Sequence, residues 1–179
     1  TVATIDRSTF EANADEAGGG VIEISSLGAG GSATITNSTF VGNSTTGTMA
    51  GSASVLHGGG PTTTLSSLTI SGNTGGAGTA AVSIANSTVM SRSIVSGNTP
   101  RNCGAGMALG TASIDNLQWG DATCAGFASG DPRLGPLAAN GGPTTTALPG
   151  AGGAAIDAIR IGRCGETVDQ RGSPRPSGL

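Results

Sequence analysis

The sequence has no lysine, no tyrosine, one tryptophan and one histidine among its 179 residues. Aromatic residues are 2% of the chain and charged residues 11%, and eight scattered arginines are outnumbered by eleven acids. Phosphate binding needs a basic stripe, so we expect no nucleic-acid partner. With so few rings, a core must be built from small and aliphatic side chains that stack regularly, which favours a repeat over an ordinary globule.

Long apolar segments are also missing. No run approaches the roughly 20 residues that a transmembrane helix needs, so we do not expect the chain to span a membrane. No export signal opens the chain, which begins inside a repeat at Thr1. We therefore expect it to be part of a larger chain or assembly, with any signal or anchor lying outside it.

Four segments of the chain can be aligned with one another. They begin at Ala3, Ala33, Thr63 and Thr88 and read ATIDRSTFEAN, ATITNSTFVGN, TTLSSLTISGN and TVMSRSIVSGN, with two equal intervals followed by a shorter one. A period of about 20 to 50 residues indicates a solenoid or array in which each unit buries its apolar face only against its neighbours. β-Branched residues alternate with small polar ones, so the repeating unit is a strand.

A second strand follows each unit after a Gly-rich link. We predict these strands at residues 21–24, 52–56, 81–84 and 112–117. Coiling of such units predicts an all-β fold, a right-handed parallel β-helix in which equivalent strands lie about 4.8 Å apart and equivalent positions stack. Residues 1–102 would form its rungs, and residues 103–179 would complete the β-helix and cap it irregularly.

Stacking assigns structural roles to two columns of residues. The interior apolar column would consist of Phe10, Phe40, Ile70 and Val95. Each unit ends in an asparagine, where an amide can bond nearby backbone groups and the left-handed conformation is tolerated. These residues are Asn13, Asn43, Asn73 and Asn98. We favour this turn role over a ligand-binding asparagine column.

Two outward features of the repeats are candidates for function. Thr9, Thr39 and Thr69 would form a flat column that could contact ice or sugar, although Ile94 interrupts it. The first unit also carries a group of acids, while its neighbours are uncharged at the stacked positions, so we favour a solvated face over catalysis or calcium binding. These acids are Asp6, Glu11, Asp15, Glu16 and Glu23.

The repeats, which follow the pattern xIxxSxFxGN, resemble those of polymorphic outer-membrane proteins and other right-handed β-helix surface proteins. The end of the chain, residues 103–179, resembles the choice-of-anchor Q domain. The motifs that carry this resemblance are NC at 102–103, NLQWGDATC ending at Cys124, GDPRLGPLAANGGPTTTALPGAGGAAIDA at 130–158, Cys164, and DQRGSPRP at 169–176. The resemblance implies a bacterial protein that is secreted or displayed at the cell surface, with no catalytic residues to carry over.

Three cysteines in such a chain suggest one disulfide and one free thiol. Cys103 and Cys124 enclose a Gly-rich loop and are the preferred pair, with Cys164 as the alternative partner for either. The sequence has no CxxC or His–Cys spacing, so we expect no metal site and no cofactor. His57 precedes three glycines and is predicted to lie in an exposed loop.

A second charged group lies in the segment that carries the family resemblance. Asp157, Asp169 and Arg171, with Asp131 and Arg133, are predicted to form a hydrogen-bonded network that fixes irregular backbone over the open end of the coil. A binding site is the alternative. Trp119 is predicted to pack under the same cover.

The sequence therefore predicts a non-catalytic secreted or cell-surface module that acts in spacing, assembly or adhesion, with a protein or a cell-surface glycan as its partner. The alternative is a carbohydrate-binding or polysaccharide-degrading β-helix protein. That activity needs a groove lined with acids and aromatic rings, which one tryptophan and a single acidic unit can hardly supply.

Overall fold

The computed structural model describes residues 2–24, 31–48, 51–58, 62–84, 88–105, 107, 109–160 and 162–175. Among these residues the structure is all-β, and no helix is long and apolar enough to cross a membrane. β-Branched and small residues dominate the strands, because they pack well on a pleated surface. The strands are β1 (Val2–Asp6), β2 (Thr9–Glu11), β3 (Ala14–Asp15), β4 (Ile22–Ile24), β5 (Ser32–Thr36), β6 (Thr39–Val41), β7 (Ser44–Thr45), β8 (Ala53–Gly58), β9 (Thr63–Ser66), β10 (Thr69–Ser71), β11 (Ala80–Ile84), β12 (Thr88–Ser91), β13 (Ile94–Ser96), β14 (Leu117–Trp119) and β15 (Ala128–Ser129).

The strands form four sheets, and every named strand pair is parallel. Their orders are β1-β5-β9-β12 in the first sheet, β15-β14-β13-β10-β6-β2 in the second, β3-β7 in the third and β11-β8-β4 in the fourth. Isolated parallel bridges at Thr74, Thr99 and Cys103 extend the third and fourth sheets. Successive passes of the chain, or rungs, visit the sheets in the same order. The prediction of an all-β fold with parallel strands is confirmed, and the arrangement is compatible with a parallel β-helix.

The register of pairing places equivalent repeat positions opposite each other. Phe10 pairs with Phe40, Phe40 with Ile70, and Ile70 with Val95. The two phenylalanine rings stack with centroids 4.7 Å apart and planes 3° apart. Phe40 is 0% exposed, whereas Phe10, in the first rung, is only partly buried. The first sheet contributes a second buried column, formed by Ile35, Leu65 and Met90.

Each rung turns a corner at a residue with left-handed backbone just before its asparagine. Gly42 has φ 65° at this corner, and it fits because it has no Cβ. The first rung has Ala12 there, at φ 52°. The corner between the first and second sheets is also left-handed in every rung, at Arg7, Asn37, Ser67, Arg92 and Asp115.

Two predictions fail near the end of the stack. Residues 112–117 do not join the fourth sheet, because Cys103 already bridges to Val82 there and the following residues begin the next pass. β14 starts only at Leu117, and it pairs with β13 in the second sheet. Trp119 lies in this strand with 46% of its surface exposed, so it is not packed under a cover.

The C-terminal strap, residues 134–160 and 162–175, follows the outer face of the second sheet back to the first rung. The Thr9 hydroxyl donates to the Thr145 carbonyl at 2.6 Å, and the Gln170 amide donates to Thr9 Oγ1 at 3.0 Å. The C-terminal segment was predicted to cover the open end of the coil, and the structure places it elsewhere. β14 and β15 extend the second sheet, and the strap lies against the side of the stack.

Replacement of Phe40 by alanine should lower the free energy of unfolding by about 3–5 kcal/mol, because a fully buried ring would leave a cavity. Urea denaturation followed by far-ultraviolet dichroism would measure the loss. Phe10→Ala is the matched control and should cost clearly less, because that ring is only partly buried. Equal losses for the two variants would contradict this account of the core.

Candidate functional site

Buried asparagine side chains connect successive rungs. The Asn73 Oδ1 accepts from the backbone N–H and from the side-chain Nδ2 of Asn43, both at 2.9 Å. Asn43 receives the same two bonds from Asn13, and Asn98 from Asn73, at 2.8–3.0 Å. Asn73 Nδ2 also donates to the Phe40 carbonyl at 3.1 Å. Asn13, Asn43, Asn73 and Asn98 thus form an asparagine ladder. Its amide groups are bonded within the protein, so the buried asparagines have little capacity left to bind a ligand.

The asparagine ladder continues beyond the four repeats and ends at a carboxylate. Asn98 Nδ2 donates to Asn102 Oδ1 at 2.9 Å. Asn102 in turn donates to Asp121, from its backbone N–H at 2.8 Å and from Nδ2 at 2.9 Å. Sequence analysis missed both residues, because Asn102 follows Asn98 too closely to fit the repeat period. The only sequence signal was the asparagine directly before Cys103.

A disulfide closes the loop beside this end of the asparagine ladder. Cys103 is bonded to Cys124, with their Cα atoms 5.0 Å apart, and Cys164 is free. Both bonded cysteines are buried, and the backbone N–H of Cys103 donates to Thr123 Oγ1 at 3.0 Å. The preferred cysteine pair is confirmed, and the alternative pairing with Cys164 is wrong.

The strap covers the column of threonines. Thr39 donates to Gln170 Oε1 at 2.6 Å and is only 2% exposed. The Gln170 amide nitrogen donates to Thr9 and to the Ser8 carbonyl, at 3.0 and 3.1 Å. The hypothesis of a flat threonine face for ice or sugar is therefore wrong, because two of its three threonines lie under the strap.

A charged cluster attaches the strap at the corner between the first and second sheets. Glu166 accepts a 2.7 Å hydrogen bond from the Ser67 hydroxyl and lies 3.6 Å from Arg92 Nε and 3.9 Å from an Arg175 nitrogen. Burial raises the pKa of Glu166, but the serine hydrogen bonds and the arginine charge outweigh it. The pKa of Glu166 therefore lies below its usual value.

The predicted Asp–Arg network is present in part. Asp169 pairs with Arg171 at 2.7 Å and accepts the backbone N–H groups of Arg171 and Ser173 at 2.8 and 2.9 Å. Desolvation raises the pKa of Asp169, but these bonds lower it by a larger amount. The pKa of Asp169 therefore lies below its usual value. Asp157 is exposed, and within the described ranges its side chain has no recorded ion pair or hydrogen bond. Asp131 accepts from the Arg133 backbone and lies outside this cluster.

A cavity of about 360 Å³ lies between the strap and the second sheet. Ile94 and Leu117 form part of its sheet side, and Leu148 lines the strap side. Asp115, Asp157 and Asp169 also line it. Asp115 forms a 3.4 Å ion pair with Arg163, and Asp169 is paired with Arg171. The cavity could hold a small ligand of mixed polarity.

Among the acids of the first rung, Asp15 holds a local turn. The Asp15 carboxylate accepts the backbone N–H groups of Ala17 and Gly18, at 3.1 and 2.6 Å. Partial burial raises the pKa of Asp15, but these bonds and the Thr45 hydroxyl bring it below the usual value. In the described part of the chain, no three His, Cys, Asp or Glu side chains are grouped to hold a metal ion.

His57 lies in a strand, and not in the exposed loop that was predicted. It is half-buried in β8, where its cross-strand partners are Glu23 on one side and Ser83 on the other. Its Nδ1 atom is buried and has no hydrogen-bond partner among the residues that the structure describes. Alignment of the second strands, VIEI, VLHG and AVSI, was the signal that could have placed these three residues in one row.

No family model, curated protein or solved structure matches the chain.

Replacement of Asn73 by alanine should destabilise the protein by about 2–4 kcal/mol, because the buried N–H groups of Asn43 lose their acceptor. Asn13→Ala is the matched control. It removes the exposed end of the asparagine ladder, where water can replace the lost bonds, and should cost under about 1 kcal/mol. Chemical denaturation of both variants measures the difference, and similar losses would contradict the asparagine ladder's structural role.

Acid should loosen the strap. The folded pKa values of Glu166 and Asp169 are lowered, so their stabilisation is complete above the unfolded values of about 4 and is lost as the pH falls through the folded values. The protection factors of strap amides, which compare each exchange rate with that of an unstructured peptide at the same pH, should therefore fall as the pH drops below about 4. The double variant Glu166→Gln, Asp169→Asn should have lower protection factors at pH 6, and these should depend less on pH. Asp157→Asn is the control and should retain the parent's profile.

Proposed function

We propose that the chain is a right-handed parallel β-helix that serves as a non-catalytic structural or adhesive module in a secreted or cell-surface bacterial protein. The observation that carries the proposal is the constant register. In the first and second sheets each rung pairs with the next at the same positions, so a rung can be added or removed while the rung-to-rung contacts of these sheets stay the same. Right-handedness is the expected sense for parallel crossovers in one sheet.

Two further features support this role. The Cys103–Cys124 disulfide is the kind of crosslink that persists in an oxidising compartment, which favours a location outside the cytoplasm. The resemblance of residues 103–179 to the choice-of-anchor Q domain favours attachment at a bacterial surface. The module would space, assemble or adhere through its outer faces, with a protein or a cell-surface glycan as partner.

The cavity beside the strap supports one alternative, a carbohydrate-binding or polysaccharide-degrading protein. Asp115 and Asp157 both line it, and a pair of carboxylates is what glycoside hydrolysis uses. Asp115, however, is paired with Arg163. We therefore place the structural role first.

Removal of residues 33–62 tests the structural role, because this deletion takes out one full period and brings Thr63 into register with Ala3. The shortened protein should fold, keep its disulfide and unfold cooperatively, with its long axis shorter by about 4.8 Å. Dichroism, thermal melting and small-angle scattering would establish this. Deletion of residues 33–47 is the control, since half a period destroys the register, and that variant should fail to fold.

If neither deletion variant folds, the result would contradict the proposed modular spacer. The alternative is examined by incubating the intact protein with acidic and neutral polysaccharides, with and without calcium. Release of new reducing ends that disappears in Asp115→Asn or Asp157→Asn would overturn the non-catalytic assignment.

A further inference from the structure

The peptide bond between Asp131 and Pro132 lies where the chain leaves the stack and continues as the strap. β15 ends at Ser129, and the strap begins at residue 134. Asp131 is exposed to solvent, whereas Pro132 is buried. No other aspartate in the sequence is followed by a proline. This bond therefore joins the strap to the stack at a residue that water can reach.

The carbonyl group of this bond is polarised by a fixed donor. The backbone N–H of Ala154 donates to the Asp131 carbonyl oxygen at 2.7 Å. A donor at this distance would also stabilise the negative charge that the oxygen gains when its carbon is attacked, as in an oxyanion hole. The donor's loop can approach so closely because a Cβ on Gly153 would collide with the Pro132 carbonyl, and glycine has none.

The side chain of Asp131 is folded over the same bond. Its Oδ1 atom accepts the backbone N–H of Arg133 at 2.8 Å. To reach an N–H two residues further along the chain, the carboxyl group must lie on the side of its own carbonyl carbon. Within the part of the chain that the structure describes, the other carboxyl oxygen, Oδ2, has no hydrogen bond. It is therefore free to act as a nucleophile.

The backbone just after this bond is strained. Arg133 has φ 49°, in the left-handed region that residues with a Cβ disfavour. It is fixed there from two directions, because its carbonyl accepts the Gly150 N–H at 2.8 Å and its guanidinium donates to the Ala151 carbonyl at 3.1 Å. Cleavage of the bond before Pro132 would allow this strain to relax.

We propose that the chain cleaves itself between Asp131 and Pro132 in mildly acidic solution, where carboxyl groups become protonated. Oδ2 of the protonated Asp131 carboxyl attacks the carbonyl carbon of the same residue, and a C–O bond forms. The bond from this carbon to the Pro132 nitrogen breaks. The nitrogen keeps the electron pair and takes the proton that the carboxyl loses. The cyclic anhydride that remains takes up one water and becomes the two carboxyl groups of a C-terminal aspartate.

Self-cleavage makes the strap a separable part of the protein. The Cys103–Cys124 disulfide lies entirely before the cut and Cys164 is free, so no covalent bond joins the two pieces. Hydrogen bonds made by Gln170 and Glu166 still hold the strap on the stack. The outer face of the second sheet can then be uncovered without unfolding of the stack, whatever partner the module binds.

Incubation of the intact protein at about pH 5, where the strap stays attached, tests the proposal. Mass spectrometry should detect two pieces whose masses together exceed the parent's by one water, with Pro132 as the new N-terminal residue. Cleavage in urea at the same pH should be about 100-fold slower, because unfolding removes the fixed donor. A parent that stays intact would overturn the proposal. Equal rates in the folded and unfolded protein would also overturn it, because the fold would then have no part in the reaction.

Two variants separate the nucleophile from the donor. Asp131→Asn keeps the Oδ1 acceptor of the turn and should stay uncleaved, because an amide is a poor nucleophile. Ala154→Pro removes the N–H donor and should be cleaved about 100-fold more slowly, with dichroism to show that it is folded. Glu16→Gln is the control, because this exposed acid lies in the first rung, and it should be cleaved at the parent's rate.

If Ala154→Pro does not fold, Asp131→Asn decides alone. Cleavage of Asp131→Asn at the parent's rate would contradict the proposal, and so would cleavage of folded Ala154→Pro at that rate.

Discussion

The structure depends on one arrangement, the in-register stacking of buried asparagine amides on parallel strands. Each buried amide oxygen accepts two N–H groups from the rung before it, and each amide nitrogen donates to the rung after it. These groups lie in an interior where an unsatisfied donor is costly, so a shift of register by one residue would break bonds in every rung. The apolar column from Phe10 to Val95 follows the same register and stabilises it by packing.

This constraint explains why the interval between the last two repeats can be shorter than the others without loss of the fold. The strands of the first and second sheets keep their pairing in all four units. The third sheet, in contrast, shrinks to isolated bridges at Thr74 and Thr99. The asparagine stays in place because its amide, and not the length of the loop, fixes the corner.

The strap changes which surfaces are available for function. It attaches to the first rung through Gln170 and to the corner residues through Glu166, so the outer face of the second sheet is largely occupied by the chain itself. A partner, if the proposed function holds, would contact the strap's own surface, the other sheets or the cavity beside Leu148. Two lowered carboxyl pKa values at the attachment points connect this coverage to pH.

The sequence by itself determined the parallel strands and the positions that pair, because a repeat specifies the same nearest-neighbour contacts several times. It also favoured the Cys103–Cys124 disulfide, because these two cysteines enclose a Gly-rich loop. Only the tertiary structure decided where non-repeating residues lie. Asp121 ends the asparagine ladder, His57 enters a strand between Glu23 and Ser83, and Gln170 reaches Thr39 across 131 positions of the chain. The contacts of Asp121 and Gln170 occur once, so no period or local propensity records them, whereas the row of His57 could be found by aligning the second strands. Their geometry depends on how the finished stack presents its outer face to the strap.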